Sequence, residues 1–157
     1  MIVATHQYPL MDRVLHGQPV AEALPRELER AGARRVFVVS NASLAPSPAL
    51  ASVITCLGER FVGVFTGVRA HSPRECVIEG GQQALAARAD LLLAVGGGSV
   101  IDAAKVIALA TTNDKPLREL AGYFSARHRP VPIYAVPTTA GTGSEVTPNS
   151  IVLVPED

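Results

Sequence analysis

One segment limits the choice of fold more than any other. Residues 91–110, LLLAVGGGSVIDAAKVIALA, set an apolar run directly before three consecutive glycines, which open onto a helix-length stretch rich in Ala. An unbroken apolar run of this length reads as a strand buried on both faces, and such strands belong to parallel sheets covered by helices. Gly96, Gly97 and Gly98 permit a sharp turn with bare backbone, and Ser99 is placed to cap the helix that follows. Free amides at a helix N-terminus, approached over glycines, form a cradle for an anion. Asp102, read as part of the first helical turn, suits the helix dipole but repels a phosphate set too near. A plain tight turn with an N-cap is the competing reading, although three successive glycines exceed what that turn needs. The spacing matches neither G-x-G-x-x-G nor G-x-x-x-x-G-K-[ST], so the standard dinucleotide fingerprint and the P-loop are both absent.

The alternation continues along the chain. Strand-length apolar runs at 35–40, 61–65, 90–95 and 132–136 alternate with helix-length stretches at 20–31, 48–57, 73–88, 99–111 and 117–124. That is the pattern of βα units, and the fold class expected is α/β, a Rossmann-like parallel sheet flanked by helices. With 157 residues, 48% of them hydrophobic, the chain amounts to one domain with material for a core. Pro25 falls inside the first helical stretch and predicts a kink or a late helix start. Residues 12–16 are a candidate extra strand, and 151–154 read as the start of another. A domain seldom ends one strand into a new element, so a truncated product or an excised domain is expected.

A second informative segment, PIYAVPTTAGTGSEVTP at 132–148, follows the last strand and gathers Thr138, Thr139, Thr142, Ser144 and Thr147 around two glycines. Short hydroxyls and bare amides suit ribose and diphosphate oxygens, and open α/β sheets take their ligands at the carboxyl ends of strands. A solvated Ser/Thr loop is the bland alternative, and the glycine turn nearby weighs against it.

Other classes find little support. Fourteen basic residues balance fourteen acidic ones with no like-charge run, so neither nucleic acid nor an anionic membrane surface is an expected partner. Cys56 and Cys76 stand far apart, no secretion signal opens the chain, and no apolar run approaches membrane-spanning length; reduced thiols in a cytoplasmic protein are the expectation. His6, His16, His71 and His128 do not pair at helical ligand spacing, and no H-E-x-x-H or C-x-x-C occurs, so no metal site is expected within the chain. There is no G-x-S-x-G elbow. Lys105 reads as a surface or phosphate-side cation, and Glu145 as a residue that orders its own loop.

GGGSVIDAAK followed by PTTAGTGSEVT resembles the iron-containing (group III) alcohol dehydrogenase family, which includes lactaldehyde reductases, butanol dehydrogenases and maleylacetate reductases. Upstream, RVLHG resembles that family's entry hairpin, RVFVVSN its first nucleotide strand and FVGVFTGVRAHSP its second. The resemblance covers nearly the whole chain, but only the family's N-terminal domain, whose fold it shares with the dehydroquinate synthase-like enzymes. It implies that Gly97, Gly98, Ser99 and Asp102 form the diphosphate turn, and that Thr138, Thr139, Thr142 and Thr147 face the diphosphate, ribose and nicotinamide. In such enzymes the cofactor lies in a cleft between this domain and a helical one that supplies an Asp and three His to a divalent metal, iron or zinc. The implied reaction is hydride transfer between NAD or NADP and a small alcohol or aldehyde.

Two departures bear on specificity. Asn41 stands where many members have the Asp that contacts the adenosine ribose and repels a 2′-phosphate, which leaves NAD and NADP both open. His71 stands where many have Asn, as in some maleylacetate reductase-like members. Three readings follow. The whole protein is a metal- and nicotinamide-dependent oxidoreductase with this chain as its cofactor domain, or a lyase of the dehydroquinate synthase type, or the chain is a non-catalytic nucleotide-binding module. PTTAGTGSEVT fits the first better than the second. Homo-oligomerisation is a further expectation, through whatever apolar face a partner domain would cover.

Overall fold

The computed structural model of the chain describes residues 12–113, 128–147 and 150–153. The four apolar runs form strands β1 (Val36–Asn41), β2 (Phe61–Val68), β3 (Leu91–Gly96) and β4 (Ile133–Pro137). All pair in parallel, in the order β2-β1-β3-β4. Between them run helices α1 (Val20–Arg30), α2 (Pro48–Leu57), α3 (Arg74–Ala86) and α4 (Gly98–Ala110). The expected helix at 117–124 lies outside the described residues.

Strand side chains alternate between two cores, as the pleat requires. Phe37, Val39, Leu92 and Ala94 face α3 and α4, where they meet Val77, Ala84, Val100, Ala104 and Ile107. Val36, Val38, Leu91, Leu93 and Val95 face α1 and α2, where they meet Leu24, Leu28, Leu50 and Leu57. Leu28, Leu91 and Leu93 are fully buried, and each such leucine contributes about 1.5–3 kcal/mol of transfer free energy. The middle strand β3 is buried along its whole length, which explains its lack of apolar–polar alternation.

Helix starts follow local chemistry. Ser47 Oγ accepts a hydrogen bond from the Leu50 amide (3.2 Å), and Pro48 occupies the first helical position of α2. In α1 the expected late start does not occur: the helix begins at Val20 and carries Pro25 within it. The missing donor would have met the carbonyl of Ala21, an exposed residue whose oxygen water can serve. Ala23, Leu24 and Leu28 remain buried on either side of the proline, and their packing outweighs the local cost.

Residues 12–16 form no strand, contrary to expectation. Ion pairs hold their start along α1 instead: Arg13 meets Glu27 (3.3 Å), and Asp12 pairs with Arg30, which also meets Glu27 (2.9 Å). These two carboxylates raise the Arg30 pKa above its ordinary value. Tyr134 of β4 donates to the Glu27 carbonyl (3.0 Å), tying the sheet edge to α1, and burial pushes its phenol pKa up. The expected strand at 151–154 reduces, among the described residues, to a single parallel bridge between Leu153 and Pro73.

The strand order creates a divergence. From β1 the chain passes through α2 to β2 on one side, whereas from β3 it passes through α4 to β4 on the other. Connections that part in this way leave a crevice beyond the carboxyl ends of β1 and β3, where open α/β sheets bind their ligands.

Candidate functional site

Gly96 ends β3 in that crevice, and Gly97 takes an extended conformation (φ −82°, ψ −172°) that hands the chain to α4. Ser99 was expected to cap this helix, but α4 already begins at Gly98 with Gly97 as its N-cap, and no side chain caps it. The Gly97 carbonyl accepts from the amides of Val100 (3.0 Å) and Ile101 (3.2 Å), so the amides of Gly98 and Ser99 precede the first helical bond. A helix of 13 residues therefore presents uncapped donors and the positive end of its dipole at the crevice.

The threonine loop folds over this terminus. The Thr138 amide donates to the Gly96 carbonyl (3.0 Å), extending the β3–β4 ladder into the loop. Gly141 (φ 90°) and Gly143 (φ 68°) then turn the chain back into a short 3-10 turn, Ser144–Val146. A Cβ placed on Gly97 would lie 2.9 Å from Thr139 Oγ1, and one on Gly98 would lie 3.1 Å from both Ser144 Oγ and Thr142 Cβ. The two motifs thus meet, and the glycines are bare where hydroxyl-bearing side chains approach them. Thr138, Thr139 and Thr142 are exposed at the crevice, whereas Thr147 lies just past the 3-10 turn, exposed in extended backbone.

Ser99 has another occupation. Its Oγ accepts from the His71 amide (3.2 Å), and its carbonyl accepts from Ser72 Oγ (2.6 Å). His71 (φ 59°) and Ser72 (φ 47°) are both left-handed, a conformation that costs a non-glycine residue about 1–2 kcal/mol. The carbonyls of both accept from the Leu153 amide, and the Arg74 amide donates to the Leu153 carbonyl (3.0 Å). These bonds clasp the loop after β2 to the start of α4. The partner of Ser99 lies 28 residues away, beyond the reach of a local capping rule.

Asp102 also departs from expectation. It lies in the second turn of α4, not the first, and pairs with Lys105 (3.3 Å), both side chains only 14% exposed. The pairing offsets the repulsion that a carboxylate would exert on a phosphate, and it places Lys105 as a half-buried partner rather than a surface cation. Ser150 Oγ donates to the Asp102 carbonyl (2.7 Å), fastening the far side of the loop to the same helix.

Asn41 ends β1, the strand beside β3. Its Oδ1 accepts from Ser43 Oγ (2.8 Å) and the Leu44 amide (3.0 Å), so the side chain shapes its own turn and leaves its Nδ2 donors for other partners. Among the described residues no group of three His, Cys, Asp or Glu side chains is arranged to hold a metal ion. An open depression lined by Glu29, Arg34, Glu59 and Arg60 lies at the amino ends of the strands, before β1 and β2, away from the crevice.

A parallel α/β sheet with a glycine turn opening a helix at its switch point defines a class of dinucleotide-binding architecture. Residues 12–157 match the family model described as iron-containing alcohol dehydrogenase, and the chain belongs to that family. It is 34% identical over 135 residues to a 4-hydroxybutyrate dehydrogenase of Cupriavidus necator, an alignment covering 83% of this chain and 35% of that protein. It is 35% identical over 143 residues to maleylacetate reductase 2 of Cupriavidus pinatubonensis, covering 91% of this chain and 33% of the relative. Among solved structures it resembles the sulfoacetaldehyde reductase of Bifidobacterium kashiwanohense in complex with NAD+, with a TM-score of 0.76 at 26% identity, over 83% of this chain and 35% of that one. The chain therefore spans about a third of the length of these relatives. No helix among the described residues is long and apolar enough to cross a membrane.

Proposed function

We propose that this chain binds a nicotinamide dinucleotide across the carboxyl ends of β1, β3 and β4, as the cofactor half of a metal-dependent alcohol dehydrogenase. The observation that carries this reading is the meeting of Gly97 and Gly98 with Thr139, Thr142 and Ser144 at the uncapped start of α4. The amides of Gly98 and Ser99 supply donors for the diphosphate, and the hydroxyls of Thr138, Thr139 and Thr142 extend the donor set toward the ribose and nicotinamide, with Thr147 farther along the same loop. Asp102 acts with Lys105 as a neutral pair that steadies the first turns of α4. Asn41 offers amide donors and no carboxylate at the end of β1, so NAD and NADP are both accepted.

A nicotinamide held by the amides of Gly98 and Ser99 and the hydroxyls of Thr138, Thr139 and Thr142 would supply hydride chemistry between a small aldehyde and its alcohol in the whole protein. The chemistry assigned to the chain itself is cofactor binding. The likeness to a sulfoacetaldehyde reductase in complex with NAD+ and to dehydrogenase and reductase relatives supports this reading. A maleylacetate reductase-like activity is the second reading, favoured by the 35% identity to such an enzyme and by His71. Two free cysteines, Cys56 and Cys76, accord with a cytoplasmic protein.

Titration of the purified chain with NADH and with NADPH, followed by nicotinamide fluorescence, tests the proposal, since the chain has no Trp to interfere. Saturable binding of both forms with dissociation constants within about tenfold of each other, a 1.4 kcal/mol window, is the expected result. A folded chain that binds neither overturns it.

A further inference from the structure

We infer that Arg69 is the residue that receives the 2′-phosphate of NADPH, and so sets how the chain discriminates the two nicotinamide cofactors. The inference rests on the nucleotide reading above and names a contact outside the diphosphate cradle. Three observations carry it. The first is register. Asn41, the last residue of β1, pairs with Val68, the last residue of β2, so Arg69 is the first residue beyond the neighbouring strand. Adjacent strands lie about 4.8 Å apart, within reach of an arginine side chain. A dinucleotide whose diphosphate sits at the start of α4 extends over β1 on one side and β4 on the other, the two neighbours of β3. The threonine loop follows β4, which leaves β1 to the adenosine ribose. At that place in such sheets an acidic residue bonds the 2′-hydroxyl, or a nearby arginine meets a 2′-phosphate.

The second observation is charge. Asn41 brings no carboxylate to that position, and its Oδ1 is taken by Ser43 and the Leu44 amide, so the end of β1 carries no charge to repel a phosphate. Arg69 is 65% exposed, and its guanidinium meets, among the described residues, the Glu75 carboxylate at 3.9 Å, past hydrogen-bond distance. Glu75 is itself exposed and is shared with Arg74 (3.7 Å), so one carboxylate cannot neutralise both arginines. A surface pair of this kind holds its arginine weakly, and a phosphate dianion is the stronger partner.

The third is support. The Ser72 amide donates to the Arg69 carbonyl (3.1 Å), and the same loop is clasped to the start of α4 through the His71 amide and Ser99 Oγ (3.2 Å). The backbone that carries the guanidinium is thereby tied to the helix that would hold the diphosphate, while the long side chain can turn from Glu75 to a ligand. In the sequence Arg69 has no mark to distinguish it from other surface arginines, because strand pairing alone brings it beside Asn41.

Arg69→Gln tests the inference on the whole chain, with NADH and NADPH followed by nicotinamide fluorescence, and ADP and adenosine 2′,5′-bisphosphate as competitors. The dissociation constants for NADPH and the bisphosphate are expected to rise about fivefold, the upper end for an exposed ion pair, while those for NADH and ADP stay at the parent values. Arg69→Lys, which keeps the charge, is expected to retain most of the NADPH affinity. An equal loss for NADH and NADPH overturns the inference, because the contact would then lie on a part that both cofactors share. Unchanged NADPH affinity in Arg69→Gln also overturns it, and so does a parent chain that binds NADH but not NADPH; in both cases nucleotide binding itself stands. A parent chain that binds none of the four probes defeats the nucleotide reading, and the inference with it.

Discussion

Thr139 Oγ1 stands 2.9 Å from the point a Cβ on Gly97 would occupy, so a residue of the last loop has taken the space left by a glycine in the β3–α4 turn. Gly97 has dihedral angles open to any residue (φ −82°, ψ −172°), and its small size is therefore a matter of room rather than of backbone freedom. Gly97→Ala is expected to fold with a melting temperature within a few degrees of the parent, because a rotatable hydroxyl side chain can move aside. The displaced Thr139 and the added methyl then raise the dissociation constant for NADH by about tenfold or more, as for a lost hydrogen bond to a charged group. A fluorescence titration that finds parent-like affinity contradicts the cradle described for this turn.

The Asp102–Lys105 pair predicts non-additive stability. Lys105→Met leaves the Asp102 carboxylate, 14% exposed, without its cation and is expected to destabilise the chain by about 1–3 kcal/mol. Asp102→Asn in the same molecule removes the stranded charge and recovers most of that loss. Urea unfolding of the two single variants and the double variant measures the coupling, and strict additivity would show that the pair is decorative.

Ser72 and Ser99 predict a loop that can be released. Ser72→Ala removes the 2.6 Å bond to the Ser99 carbonyl and, with it, part of what holds two successive left-handed residues in place. The expected loss is about 1–2 kcal/mol in thermal unfolding, with faster amide exchange at His71. Unchanged exchange there would mean that Leu153 and the Ser99 side chain suffice to hold the loop.

Tyr134 predicts an alkaline dependence. Burial raises its phenol pKa above the ordinary value of 10.0, so the folded state holds the proton more tightly than the unfolded chain does. The stability this contributes is fully present below about pH 10, the pKa of a free phenol, and is lost as pH rises through the folded pKa. Tyr134→Phe loses the bond to the Glu27 carbonyl but also the alkaline decline, and chemical denaturation between pH 8 and pH 11, a window around that free-phenol value, separates the two effects. A parent and variant with equal slopes above that pH would assign the decline to other groups.

Much of this was legible in the sequence. Each of the four apolar runs became a strand, shifted by one residue for β1, β3 and β4, because a doubly covered parallel sheet leaves an apolar imprint that no loop shares. β2 runs on to Val68, past Thr66 and Gly67, because its partner Asn41 extends the ladder and a period-based reading does not see the partner. The two halves of the site were also legible, since glycines and clustered hydroxyls are chemical signals in themselves. Their internal wiring was not. Ser99 is engaged by His71, Asp102 by Lys105, and the boundary of α4 moved by one residue, enough to turn a supposed cap into a clasp. The sequence of 12–16 has strand-like residues, but ion pairs with α1 claim its first two, a choice made between segments distant along the chain.

The central claim is that the dinucleotide lies across the start of α4, and amide chemical shifts test it most directly. In two-dimensional NMR of the nitrogen-labelled chain titrated with ADP and then NADH, the largest shifts are expected at Gly97, Gly98 and Ser99, with a second group at Thr139, Thr142 and Ser144 for NADH. Largest shifts instead at Ala33, Arg34 and Arg60, around the depression at the amino ends of the strands, would contradict the account.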